Sequence, residues 1–204
     1  MKQRNSLLSA ALIALTSLAL SSAASAAPAR FMAMGTSVKA PLGHIQFCEE
    51  NRTACRGKNG TPVVVKLTEQ RWQELIDLND RINRAIRPVT DEVLFGKLEY
   101  WTYPNGGAGD CEEYVLEKQR ALIAAGWPRS ALLITVAKDI KNAGHAVLTV
   151  RTDQGDMILD NQIEAVLPWY STPYRYIKRQ STEHPAKWTG IADTRVATVG
   201  SVGN

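Results

Sequence analysis

Cys111 follows the run Pro104-Asn105-Gly106-Gly107-Ala108-Gly109 and opens a stretch of helical periodicity in which Val115, Leu116, Leu122 and Ile123 can line one face. A thiol at the start of a helix faces unpaired backbone N–H groups. Their partial positive charge favours thiolate over thiol. The glycines before it let a substrate backbone come close, and the N–H of Cys111 is placed to donate to an oxyanion. Asp110, Glu112 and Glu113 act the other way. Carboxylates around a sulfur raise its pKa unless a cation or another partner offsets them.

A nucleophilic thiol needs a base. Of three histidines, only His145 heads a strong strand, Ala146-Val147-Leu148-Thr149-Val150, behind an Asn142-Ala143-Gly144 loop that can expose it. An imidazole with an ordinary pKa of ~6.5 can take a thiol proton. The next strand, Met157-Ile158-Leu159, follows turn chemistry at Thr152-Asp153-Gln154-Gly155. With Asp153-Gln154 as a two-residue turn, Arg151 pairs with Asp156, and Asp160 falls opposite Val147, diagonal to His145 on one face. Diagonal neighbours lie roughly 7–8 Å apart at the backbone, within reach of a His–carboxylate hydrogen bond. A slip of one residue would send the two side chains to opposite faces. Cys111, His145 and Asp160 are thus the candidate nucleophile, base and orienter.

These residues must be held by helices that come first and strands that come later. Residues 27–60 read as coil, rich in Gly, Pro and polar residues. Val63-Val64-Val65 is a short strand or the lead into a helix. Thr68 caps a long helix with Trp72, Leu75, Ile76, Ile82 and Ile86 at helical spacing, ended by Pro88 just after Arg87. The nucleophile helix runs from Cys111 to about Ala125, stopped by Gly126 and Pro128. Strands are expected at Leu132–Ala137, 146–150, 157–159 and 174–179, and a weakly ordered tail over about 190–204. Helices followed by an antiparallel meander make an α+β domain. Trp101 and Trp169 read as core aromatics, and His44 as a solvated loop residue.

Lys2 and Arg4, the apolar run Leu7 to Leu20 and Ala24-Ser25-Ala26 have the order of a secretory signal peptide, with cleavage near Ala26. Removal of residues 1–26 leaves 27–204, enough for one domain with a proper core. Lys2 and Arg4 account for half of the formal charge of +4. No Lys/Arg-rich run with interleaved aromatics occurs, so a nucleic-acid partner is not expected. In an oxidising compartment thiols pair. Cys48 and Cys55, seven apart, are expected to form a disulfide, leaving Cys111 free. A zinc site built from His44, Cys48 and Cys55 is the rival, without an obvious fourth ligand or the usual Cys-x-x-Cys spacing.

Gly109-Asp110-Cys111-Glu112-Glu113-Tyr114, then Gly144-His145-Ala146-Val147-Leu148, then Leu159-Asp160-Asn161 resemble the bacterial transglutaminase-like cysteine proteinases. The stretch Asn79 to Ile86 and Glu99-Tyr100-Trp101 extend the likeness. The resemblance implies a papain-like or transglutaminase-like core, with the nucleophile helix packed on the sheet that carries His and Asp. It implies a periplasmic thiol protease that acts on a surface or periplasmic protein, such as a biofilm adhesin. It also implies dependence on calcium and a membrane-bound regulatory receptor. Calcium-binding carboxylates flank the nucleophile in this family, so Asp110 and Glu112 inherit that role. The acidic crowding at the thiol is then offset by a cation that prefers oxygen ligands. Family members usually follow the nucleophile with Glu-Asp-Tyr-Ala, whereas this chain has Glu112-Glu113-Tyr114-Val115, and the longer Glu113 alters any calcium shell. Two other functions use the same scaffold: acyl transfer to an amine, as in transglutaminases, and an inactive binding or regulatory module.

Overall fold

The computed structural model describes residues 29–104 and 106–195. The signal peptide expected over 1–26 lies outside the described residues. The chain runs β1 (Met34–Val38), α1 (Leu42–Glu50), α2 (Arg52–Cys55), α3 (Glu69–Ala85), β2 (Arg87–Pro88), α4 (Asp91–Phe95), β3 (Ala108–Gly109) and α5 (Cys111–Ala124). It continues through β4 (Leu132–Lys138), β5 (Gly144–Thr152), β6 (Gly155–Leu159), β7 (Leu167–Pro168), β8 (Arg175–Gln180) and β9 (Trp188–Ile191). The main sheet has the order β1-β9-β8-β4-β5-β6-β7, and every pairing in it is antiparallel.

Helix α3 begins as its residues dictate. The Thr68 hydroxyl accepts the N–H of Arg71, satisfying one of the orphan donors of the first turn. Leu75, Leu78, Asn79 and Ile82 form its buried stripe. It stops at Ala85, two residues before the expected end. Pro88 disfavours helical backbone at Arg87, and Arg87 and Pro88 instead pair in parallel with Ala108 and Gly109. That pairing brings the segment before α4 alongside the segment before Cys111.

Helix α5 lies on β4 and β5, with α3 against its other side. Val115, Leu116 and Leu122 join Leu75, Leu78 and Ile82 with Leu132, Ile134, Ala146, Leu148 and Val150 in the main core. Burial of each large aliphatic side chain is worth about 1.5–3 kcal/mol, so this face holds α5 in register with the sheet. A second core on other positions of the same strands gathers Ala137, Val147, Ile158, Trp169, Tyr174 and Tyr176. Trp101 and Trp169 are both buried, as their aromatic bulk suggests.

Three expectations need correction, while the expected Cys48–Cys55 disulfide is present. The coil expected over 27–60 instead contains β1, α1 and α2. Cys48 and Cys55 sit on α1 and α2, and their disulfide ties these helices at a Cα–Cα distance of 5.4 Å. With both sulfurs bonded to each other, no zinc site can form there. His44 is 1% exposed, packed edge-on to Trp101 and Trp188. The tail is ordered as far as Arg195: Gly190 and Ile191 belong to β9, and the Arg195 guanidinium donates to the carbonyls of Trp169, Thr172 and Tyr174. Residues 196–204 lie outside the described region.

Candidate active site

The β5–β6 hairpin has the register that places Asp160 near His145. Arg151 pairs with Asp156 and Leu148 with Leu159, across a turn at Asp153-Gln154. Side chains alternate along a strand, so His145 shares a face with Val147. His145 Nε2 lies 2.8 Å from Asp160 Oδ1, with both residues about 2% exposed. Sequence reasoning expected an exposed histidine; the strand buries it, and its ring meets the Tyr174 ring edge-on.

Asp160 is held from several sides. Its Oδ2 accepts the Tyr174 hydroxyl, its Oδ1 also accepts the Gln162 N–H, and its carbonyl accepts the Asn83 amide. Burial pushes its carboxyl up, but the hydrogen bond with His145, then those with Tyr174 and Gln162, hold it below the usual carboxylate range. A carboxylate can only accept, so Nε2 carries the ring proton and Nδ1 the lone pair. Nδ1 faces the side-chain amide of Gln162 at 3.3 Å.

Cys111 is partly buried and is the only free cysteine. Its S–H donates to Glu112 Oε2 at 2.9 Å. The structure thus brings His145 and Asp160 together and packs the helix of Cys111 on the same strand, but the thiol hydrogen bond goes to Glu112 and not to His145. Burial, the Glu112 charge, the hydrogen bond to Glu112 and the Asp110 charge push the thiol well above its usual range, and only the Ala146 N–H acts the other way. Burial and the nearby Asp110 carboxylate push Glu112 up in turn.

A cleft of about 340 Å³ opens over this arrangement, lined by Cys111, Glu112, Gly144, Asn161 and Gln162 and by the Pro88–Thr90 segment. Gln162 lines the cleft while His145 does not. Helix α3 holds the segment that carries Asn161 and Gln162: the Asn79 amide donates to the carbonyl of Glu164 and the Asn83 amide to that of Asp160.

Oxygens of Asp110 and Glu112 cluster with the Cys111 sulfur within 4.8 Å, and Asp110 Oδ1 is buried without a hydrogen-bond partner. Glu113 is spoken for by backbone. Its Oε2 accepts the N–H of Asp110 and its Oε1 that of Thr102. Burial pushes it up to about 8, against those two donors. Gly109 makes room for it, since a Cβ there would meet the Glu113 Cβ at 2.4 Å. Gly109 therefore serves packing.

Sequence reasoning missed Tyr174, Gln162 and Lys118. Tyr174 immediately precedes the aromatic–basic alternation of β8, which signalled a strand but no hydrogen bond. Lys118, two turns along α5 from Cys111, is buried; burial lowers it to about 7, while the Asp160 charge pulls the other way. Helical spacing from the nucleophile was the available signal for it.

The model of the bacterial transglutaminase-like cysteine proteinase family matches residues 34–196. No curated protein matches the chain. Among solved structures, EGTA-treated LapG of Legionella pneumophila is similar with a TM-score of 0.50 and 27% identity, over 60% of this chain and 67% of that one. A second LapG structure gives 0.49 and 27% over 57% and 67%, and a calcium-bound form gives 0.47 and 22% over 78% and 93%. The helix-on-antiparallel-sheet arrangement is a transglutaminase-like fold.

Proposed function

Because this chain belongs to the bacterial transglutaminase-like cysteine proteinases, we propose that its peptidase chemistry runs through Cys111, His145 and Asp160. The observation that carries this reading is the buried His145–Asp160 pair, with Nδ1 left as the lone-pair nitrogen, on the strand against which the helix of Cys111 packs. Family membership makes the chain a cysteine peptidase and sets proteolysis ahead of amine transfer or a non-catalytic binding role.

In this mechanism the thiol proton passes to His145 Nδ1 once the Gln162 amide gives way. The sulfur attacks the scissile carbonyl, and a C–S bond forms as the carbonyl π electrons move to oxygen. The Cys111 N–H, at the first position of α5, is a donor for that oxyanion. Collapse breaks the C–N bond, and the leaving amine takes the proton from Nδ1. Water then gives a proton to Nδ1 and its oxygen to the acyl carbon, and the thiol is regenerated. Asp160 keeps the ring oriented and stabilises the imidazolium, with Tyr174 fixing the carboxylate.

Asp110 and Glu112 fit a calcium ion, since hard carboxylate oxygens converge beside the sulfur and Asp110 Oδ1 has no partner. Bound there, the ion supplies the positive charge that offsets carboxylates next to the thiol. We place the enzyme in the periplasm, on the leader-like residues 1–26, with a surface or periplasmic protein such as a biofilm adhesin as substrate and a membrane-bound receptor as regulator; these rest on the family resemblance. The test is to label the mature protein with iodoacetamide. Labelling at Cys111 that slows strongly in His145→Ala supports the pairing, whereas equal rates in a folded variant contradict it.

A further inference from the structure

Asp91, the first residue of α4, is 2% exposed, and its sequence context reads only as an acidic residue in a helix first turn. Its Oδ2 accepts the N–H of Tyr100, while its Oδ1 is buried with no hydrogen-bond partner. The N–H of Asp91 donates to Asp110 Oδ2 at 3.2 Å, and Asp110 Oδ1 is the second buried oxygen without a partner. Carboxylate oxygens of Asp91, Asp110 and Glu113 lie within 4.8 Å of one another. Among the described residues no Lys, Arg or His forms an ion pair with any of the three. Converging carboxylates with orphaned oxygens, shielded from water, require a cation or a shared proton.

We infer that Asp91 is a ligand of the divalent-cation site, contributed from α4 to the carboxylates beside the nucleophile. This rests on the calcium reading of Asp110 and Glu112. Asp110 is the member common to both carboxylate groups, and two flanking carboxylates alone leave calcium far short of its usual six to eight oxygens. Glu113, with an oxygen on each of two backbone donors, is the scaffold of the site and Asp91 the residue with an oxygen to give. The consequence is mechanical as well as electrostatic. The cation ties α4 and the Pro88–Thr90 wall of the cleft to the end of α5 that carries Cys111, so metal binding orders the substrate wall.

The experiment is calorimetric titration of calcium chloride into chelator-treated full-length mature protein, with melting temperature read in parallel. Wild type binds and gains melting temperature, and Asp91→Asn, which keeps an acceptor for the Tyr100 N–H, loses at least tenfold in affinity with an unchanged circular dichroism spectrum. Wild-type binding with an equal affinity in Asp91→Asn overturns this inference and leaves the Asp110–Glu112 reading standing, the result expected of a shared proton. No binding by wild type overturns both. Should Asp91→Asn not fold, Asp91→Ser, a residue suited to a helix start, reads the same comparison.

Discussion

His145 Nε2 and Asp160 Oδ1 are 2.8 Å apart in a site from which both side chains are almost wholly shielded from water. A hydrogen bond of this kind fixes one tautomer and one ring orientation. Asp160→Asn keeps the shape and removes the charge, so it is expected to lower peptide hydrolysis by about a thousandfold or more, as loss of the orienting carboxylate does in other triads. Steady-state rates on a peptide substrate, with circular dichroism to confirm folding, check this. A loss of less than tenfold would remove Asp160 from the mechanism.

Tyr174 supports the same carboxylate through its hydroxyl. Tyr174→Phe leaves Asp160 Oδ2 short of a buried donor, which costs about 1–3 kcal/mol. The variant is expected to melt several degrees lower and to lose roughly tenfold in kcat, with KM little changed. A variant that matches wild type in both would show that the hydroxyl contributes nothing to the pair.

Residues 144–160 were legible because a two-residue turn and period-two alternation leave one register, and that register pairs Arg151 with Asp156. The nucleophile helix was legible from its stops at Gly126 and Pro128. Helix α1 was not. Its buried face is Gly43, His44 and Phe47, which is no hydrophobic stripe. Gly43 is there because Trp101 packs against it, and a Cβ would meet the indole at 2.3 Å. That contact joins segments nearly sixty residues apart, and no local pattern encodes it. Gln162 and Asp91 escaped for a like reason: each reads as ordinary loop or helix-start polarity until the fold sets it against His145 or Asp110.

His44 makes the fold sensitive to acid. Gln180 Nε2 lies 3.1 Å from its Nε2, and Trp188 Nε1–H donates to its Nδ1 at 3.3 Å, so a second ring proton would face donors on both sides. Burial lowers its pKa to about 4. The unfolded chain, near 6.5, binds the proton more readily. The stabilisation is therefore complete above pH 6.5 and is lost as pH falls toward 4, a change on the order of 3 kcal/mol. Melting temperatures at pH 7 and pH 5 should differ less in His44→Gln than in wild type. An unchanged difference would assign acid sensitivity elsewhere.

The Cys48–Cys55 bridge joins α1 to α2 under the main core. Closing so short a loop is worth about 2 kcal/mol. Intact mass under unfolding, non-reducing conditions should show one alkylated cysteine, Cys111, and three after reduction. The double variant Cys48→Ala, Cys55→Ala should melt lower while still cleaving peptide. Three alkylated cysteines before reduction would rule the bridge out.

The decisive measurement is cleavage of a defined peptide pool by the mature protein, read by mass spectrometry, beside the same protein carrying Cys111→Ala. The expected result is calcium-supplemented wild type producing new peptide termini and a folded Cys111→Ala producing none. New termini at wild-type rates from Cys111→Ala would contradict the assignment of Cys111 as the nucleophile.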